Sequence, residues 1–127
     1  MNQYWNDFLK EFSEKILPFY QNHENTFDKR GTHSRRHISR SIIFSEFMSR
    51  FYNNLGRNVD SFAIRYAVSF HDAGRQANGR DLWESDSSNL CFSYLYKKID
   101  NEKLHCSMQE MTNQKGNVIC CLDYCKY

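Results

Sequence analysis

"DSFAIRYAVSFHDAG", Asp60 to Gly74, is the stretch whose reading decides the fold. Phe62, Ala63, Tyr66, Ala67 and Phe70 recur at helical spacing and line one face, with none of the strict alternation of a strand. Asp60 stands just ahead of the first apolar residue, where its carboxylate can accept a free N–H of the first turn. No charged residue falls between Ala67 and Phe70, so this helix is expected to be the central and most buried one. It ends on His71 and Asp72, followed by Gly74. A buried aspartate is costly unless it is paired or bound to a cation. The dipeptide therefore reads either as a packed helix end or as one wall of a reactive site.

Working outward, helical spacing continues on both sides. Upstream, Trp5, Phe8, Phe12, Ile16 and Phe19 share one face, and Pro18, the single proline, is expected to end that helix. A loop through Gly31 follows. The next helix is expected to start near Thr32 or Ser34, to present Ile38, Ile42, Ile43, Phe47, Phe51 and Leu55 as its apolar face, and to stop at Asn53, Asn54 and Gly56. Downstream of the polar loop "GRQANGRD", a fourth helix is expected over Ser85–Ile99, with Leu90, Tyr94, Leu95 and Ile99 inward, and short helices near 102–111 and 118–126. Strand signals and internal repeats are missing. The expectation is one all-α domain, 1–127, of about five to six helices.

Composition fits this. The 127 residues are 40% apolar and 16% aromatic, enough for a core filled largely by Phe and Tyr. A mean hydropathy of -0.77 adds a wet, polar surface. The net charge of +2 is too weak to argue for nucleic acid as a partner. No apolar run reaches the ~18 residues of a membrane span. The opening "MNQYWNDFLKEF" is amphipathic and acidic, unlike a secretory leader, so a cytoplasmic site of synthesis is expected, with export as an effector by another route left open. The five cysteines form no Cys-x-x-Cys pair and are expected to be free thiols.

Charge is locally uneven. "DKRGTHSRRHISR", Asp28 to Arg40, sets Lys29, Arg30, Arg35, Arg36 and Arg40 against one acid. It reads either as a solvated helix start or as an anion site, because a helix N-terminus favours negative charge. His33 and His37 lie four apart, which on a helix brings two imidazoles to one face about 6 Å apart.

The order His37, then His71-Asp72, resembles the HD superfamily, named for that dipeptide. Together, "GTHSRRHISRSIIF" and "FHDAGRQANGRDLWESDS" look like the phosphodiesterase domain of SidE-type effectors over about Gly31 to Ser88. The shared pattern is His-x-x-x-His, His-Asp-x-Gly-Arg, a Gly, an Asp and a Trp-acid pair. The resemblance implies a helical domain acting on a phosphodiester, such as ADP-ribosylated or phosphoribosyl-linked ubiquitin. It implies a histidine nucleophile, His33 or His37 with His33 favoured, assisted by Glu84. His37, His71 and Asp72 would line the pocket or hold metal, and Arg36 and Arg75 would contact phosphate. No cofactor is needed in the SidE-type mechanism, whereas a general HD hydrolase would use a divalent metal such as Mn or Mg. The chain departs from the family pattern near its end: Asn117 stands where a late His is expected and Cys120 where a metal-binding Asp is expected. Asp123 or His105 are the candidate substitutes. A catalytically impaired chain that binds nucleotide or protein is the alternative implied by that departure.

Overall fold

The computed structural model describes residues 3–101, with side chains described through residue 98. The chain is all-α there. Helix α1 (Gln3–Glu11), a π-helical turn (Phe12–Ile16) and α2 (Leu17–Thr26) run end to end as one interrupted rod. Three more helices follow: α3 (Arg35–Asn54), α4 (Ser61–Phe70) and α5 (Glu84–Asn101). No strand occurs among the described residues. The short helices expected after residue 101 lie outside them.

Helix α4 is central, as its composition predicts. It packs on α3, on α5 and on the π turn, and contributes Ala63, Tyr66, Ala67 and Phe70 to the core. Its start is fixed by the Asp60 carboxylate, which accepts the Ala63 N–H at 3.0 Å. Around it gather Trp5, Phe8, Phe12, Ile16 and Tyr20 from the first rod, Ile38 and Ile42 from α3, and Cys91 and Leu95 from α5. Burial pushes the Cys91 thiol up to about 12, so it sits in the core as a small apolar group.

Pro18 does not end the first helix. The preceding turn widens so that the Leu17 N–H bonds the Phe12 carbonyl, and Pro18 falls in the opening turn of α2, where a missing N–H costs little. The extra residue also rotates the face. Tyr20, rather than Phe19, becomes fully buried, while Phe19 packs at the margin, edge-on to Phe70.

Helix α3 departs from expectation more. Ile38 and Ile42 are buried as predicted, but Ile43, Phe47, Phe51 and Leu55 are exposed, and Phe44 with them. The buried side continues instead through Glu46 and Ser49. Glu46 is tolerated there because Arg65 of α4 grips its carboxylate at 2.7 and 2.9 Å and Arg50 adds a bond at 3.1 Å. Burial alone would raise the Glu46 carboxyl, but the two guanidinium groups outweigh it and hold it below the usual range. A second polar tie joins three helices: Glu11 of α1 accepts from Tyr66 of α4 and from Tyr94 and Lys98 of α5, each at 2.8 Å.

Candidate functional site

Three segments converge at one end of the bundle: the loop before α3, the first turn of α3, and the turn that leaves α4. Asp28 shapes the first. It is fully buried, and its two carboxylate oxygens accept the N–H groups of Thr32 and His33 at 2.9 Å and the Ser34 hydroxyl. Burial would raise this carboxyl, yet those three donors hold it below the ordinary aspartate value. Ser34 occupies the N-cap position, but its hydroxyl serves Asp28 and not the helix. The loop turns at Gly31, whose φ of 71° is the left-handed region that favours glycine. Its conformation aims His33 across the end of α3 toward the turn after α4.

That turn is held by close packing. Gly74 presses on the start of α5 so tightly that a Cβ there would meet the Ser87 nitrogen at 2.5 Å, and its own N–H bonds the Ser87 hydroxyl at 2.9 Å. His71 and Asp72 are thereby carried back over α3.

The result is a cluster around one oxygen. Asp72 Oδ2 lies 3.5 Å from His33 Nδ1, 3.4 Å from His37 Nε2 and 3.2 Å from His71 Nε2. His37 Nε2 and His71 Nε2 are themselves 3.2 Å apart. The other carboxylate oxygen, Oδ1, accepts Arg75 Nε at 3.0 Å. Asp72 is buried, while the three rings are each about a third exposed.

The protonation pattern follows from the neighbours. His71 Nδ1 is 2.6 Å from the Val68 carbonyl, which can only accept, so Nδ1 carries the proton. In neutral His71 the lone pair then sits on Nε2, facing the carboxylate oxygen. Two electron-rich atoms at that range require a positive charge between them, either a proton or a cation. Without a cation, the proton is favoured: burial would lower the His71 pKa, but Asp72 outweighs it and raises it. Asp72 itself is held far below the usual carboxylate range: burial opposes this, and His71 and then Arg75 overcome it. His37 goes the other way. Burial, and then the neighbouring His71, lower its pKa, leaving a neutral imidazole with a lone pair to donate.

The donor set fits a divalent metal. His33, His37 and Asp72 each offer one ligand atom, and all lie within 4.8 Å of one another. Imidazole nitrogen with carboxylate oxygen suits Zn, Mn or Fe. His71 is oriented by its second nitrogen on a backbone carbonyl, and Asp72 by Arg75, the kind of support that metal-binding side chains commonly have.

The remaining sequence candidates divide. Arg75 is buried, bonded to Asp72 and to the Gly79 carbonyl at 3.0 Å, so it orients the carboxylate from behind. Arg36 is exposed and lines a groove of about 650 Å³ with Lys29, Arg30, Arg35 and Arg40. Glu24, the one acid in that wall, is engaged by Arg35 at 2.8 Å. Glu84 opens α5, half-buried, with no hydrogen bond or ion pair to the histidines among the described residues. Trp83 is also half-buried. Asn117, Cys120, Asp123 and His105 lie outside the described residues. Sequence reasoning missed Asp28. Its signal was present: a lone acid three residues before a glycine and followed by Thr32 and Ser34, the pattern of a carboxylate that folds a loop around itself.

No helix among the described residues is long and apolar enough to cross a membrane. No family model, curated protein or solved structure matches this chain.

Proposed function

We propose that this chain is a phosphoester hydrolase of HD type, with His33, His37, His71 and Asp72 as its reaction centre. The observation that carries the reading is the convergence of three imidazole nitrogens on one buried carboxylate oxygen, at 3.2 to 3.5 Å. His33, His37 and Asp72, with His71 beside them, would hold a divalent metal. When bound, that ion supplies a Lewis acid for a phosphoryl oxygen and lowers the pKa of water. The chain's own residues do the rest. Asp72 carries the compensating negative charge, Arg75 holds it in register, and His71 can exchange a proton at Nε2. The cationic groove over Arg36 and Arg40 draws in an anionic substrate and neutralises its phosphate.

A second reading keeps the same residues without a metal. His33 turns Nδ1 toward Asp72, which leaves Nε2 on a partly exposed ring as an in-line nucleophile toward phosphorus. This is the SidE-type mechanism, with ADP-ribosylated ubiquitin as the substrate suggested by the resemblance. It asks Glu84, at the start of α5, to move the substrate's proton.

The test is turnover of ADP-ribosylated ubiquitin and of bis(p-nitrophenyl) phosphate, each in EDTA and with added manganese. Manganese-dependent cleavage that His37→Ala abolishes supports the metal reading. Cleavage in EDTA that His33→Ala abolishes supports the nucleophile reading. Nucleotide binding without turnover under any condition would leave the alternative of a binding protein on the same fold.

A further inference from the structure

Helix α3 has two apolar sides, and among the described residues only one of them is packed against the bundle. Ile38 and Ile42, with Glu46 and Ser49, face α4. On the opposite side Ile43, Phe44, Phe47, Phe51 and Leu55 are 62, 65, 64, 48 and 62% exposed. Leaving such side chains in water forgoes the favourable free energy of burying their exposed apolar area. Their positions are ordered. Phe44 and Phe51 are seven residues apart, with Phe47 three from one and four from the other. That is the spacing at which one helix seats its side chains between those of a second helix. Leu55 extends the same stripe by one more turn.

We propose that this stripe is a homodimer interface, in which α3 packs antiparallel against α3 of a second copy of the chain. Four arguments on the molecule favour a second copy. First, Phe44, Phe47, Phe51 and Leu55 form an uncharged run, and the nearest charge along the stripe is Arg40, one turn before Phe44. Second, the area is right. The large side chains expose on the order of 500 Å². That lies toward the upper end of the largest apolar patch a monomer carries, about 300–600 Å², and would form the apolar centre of a patch of about 800 Å² per partner, with Arg40, Met48 and Tyr52 at its margin. Third, the register that sets Phe47 against Phe51 overlaps α3 with its copy over about residues 44–54, roughly 16 Å of continuous helix. Fourth, the charges on α3 choose the orientation. Arg35, Arg36 and Arg40 crowd its N-terminal end, and a parallel pair would bring both sets together. An antiparallel pair separates them by the length of the helix and is isologous about a two-fold axis. Phe47 of one copy then lies beside Phe51 of the other, and Phe44 beside Leu55.

The pairing stands apart from catalysis and is tested without it. Sedimentation velocity on the full chain, in reducing buffer so that its five cysteines cannot link copies, should give twice the 15.3 kDa chain mass at micromolar concentration. The double variant Phe47→Glu, Phe51→Glu should weaken association at least 100-fold. Both positions are exposed, so its circular dichroism spectrum should match that of the wild type, while loss of the partner lowers the melting midpoint and removes its concentration dependence. A wild-type chain that is monomeric at 100 µM overturns the proposal, and so does a dimer that the double variant leaves intact. If the double variant loses its helical spectrum, Phe44→Ser with Leu55→Ser repeats the reading with neutral side chains, and a dimer that survives those changes also sinks it.

Discussion

Two aspartates, Asp28 and Asp72, are buried within one site and have opposite surroundings. Asp28 is ringed by neutral donors: two backbone N–H groups and a hydroxyl, all from the six residues that follow it. Each donor already has its proton, the carboxylate is satisfied, and nothing further is needed. Asp72 is ringed by three imidazoles and a guanidinium drawn from two other segments and its own turn. Imidazoles can present lone pairs as well as protons, so what this carboxylate oxygen meets depends on the tautomers and protonation of three rings, or on a cation shared with them. The same residue type at the same depth therefore does two jobs. One folds a loop, and the other holds a variable positive charge. That difference separates a structural acid from the one proposed as reactive.

The comparison is broken most severely at Asp72. Asp72→Asn keeps the volume but removes the charge, so manganese affinity should fall by at least about 100-fold, read by calorimetry, while the circular dichroism spectrum stays helical. Asp28→Ala should do the reverse. It orphans the buried Ser34 hydroxyl and two part-buried backbone N–H groups and should cost about 2 kcal/mol in urea unfolding, with metal affinity lost only as far as His33 moves. The sign of its pH dependence is set: the Asp28 carboxyl titrates lower in the folded chain than in the unfolded one. Its contribution is therefore full above the unfolded aspartate value of about 4 and declines as pH falls through the folded value, a decline that Asp28→Ala should lack. The gentlest change is at Arg75. Arg75→Gln leaves all four cluster residues and removes only the group that steadies Asp72, so manganese affinity should drop by about 10-fold. A drop as large as that of Asp72→Asn would make Arg75 part of the binding set rather than its support.

How much of this was legible beforehand differs by residue. His33, His37, His71 and Asp72 could be picked out because their spacing is local: one helical turn for the first pair, adjacency for the second. That the two pairs meet depends on how α4 crosses α3, which no periodicity encodes. Arg75 carried the right motif and was expected at phosphate, but Asp72, three residues earlier on the same turn, captures it. Helix α3 misled for a different reason. Its apolar residues occupy more than half the circumference, and a pattern that wide does not say which stripe meets the core. Glu46 settles that choice, because its partner Arg65 lies on α4.

The sequence by itself determined the helices, the buried rank of α4, the cap at Asp60 and the histidines and aspartate that make up the candidate site, because these depend on spacing and side-chain chemistry within a few residues. The tertiary structure alone decided that three imidazoles share one carboxylate oxygen, that the first helix runs on through Pro18 by way of a π turn, and that half of α3's apolar surface faces outward. Those outcomes turn on contacts between segments tens of residues apart, where packing and ion pairing overrule any local preference.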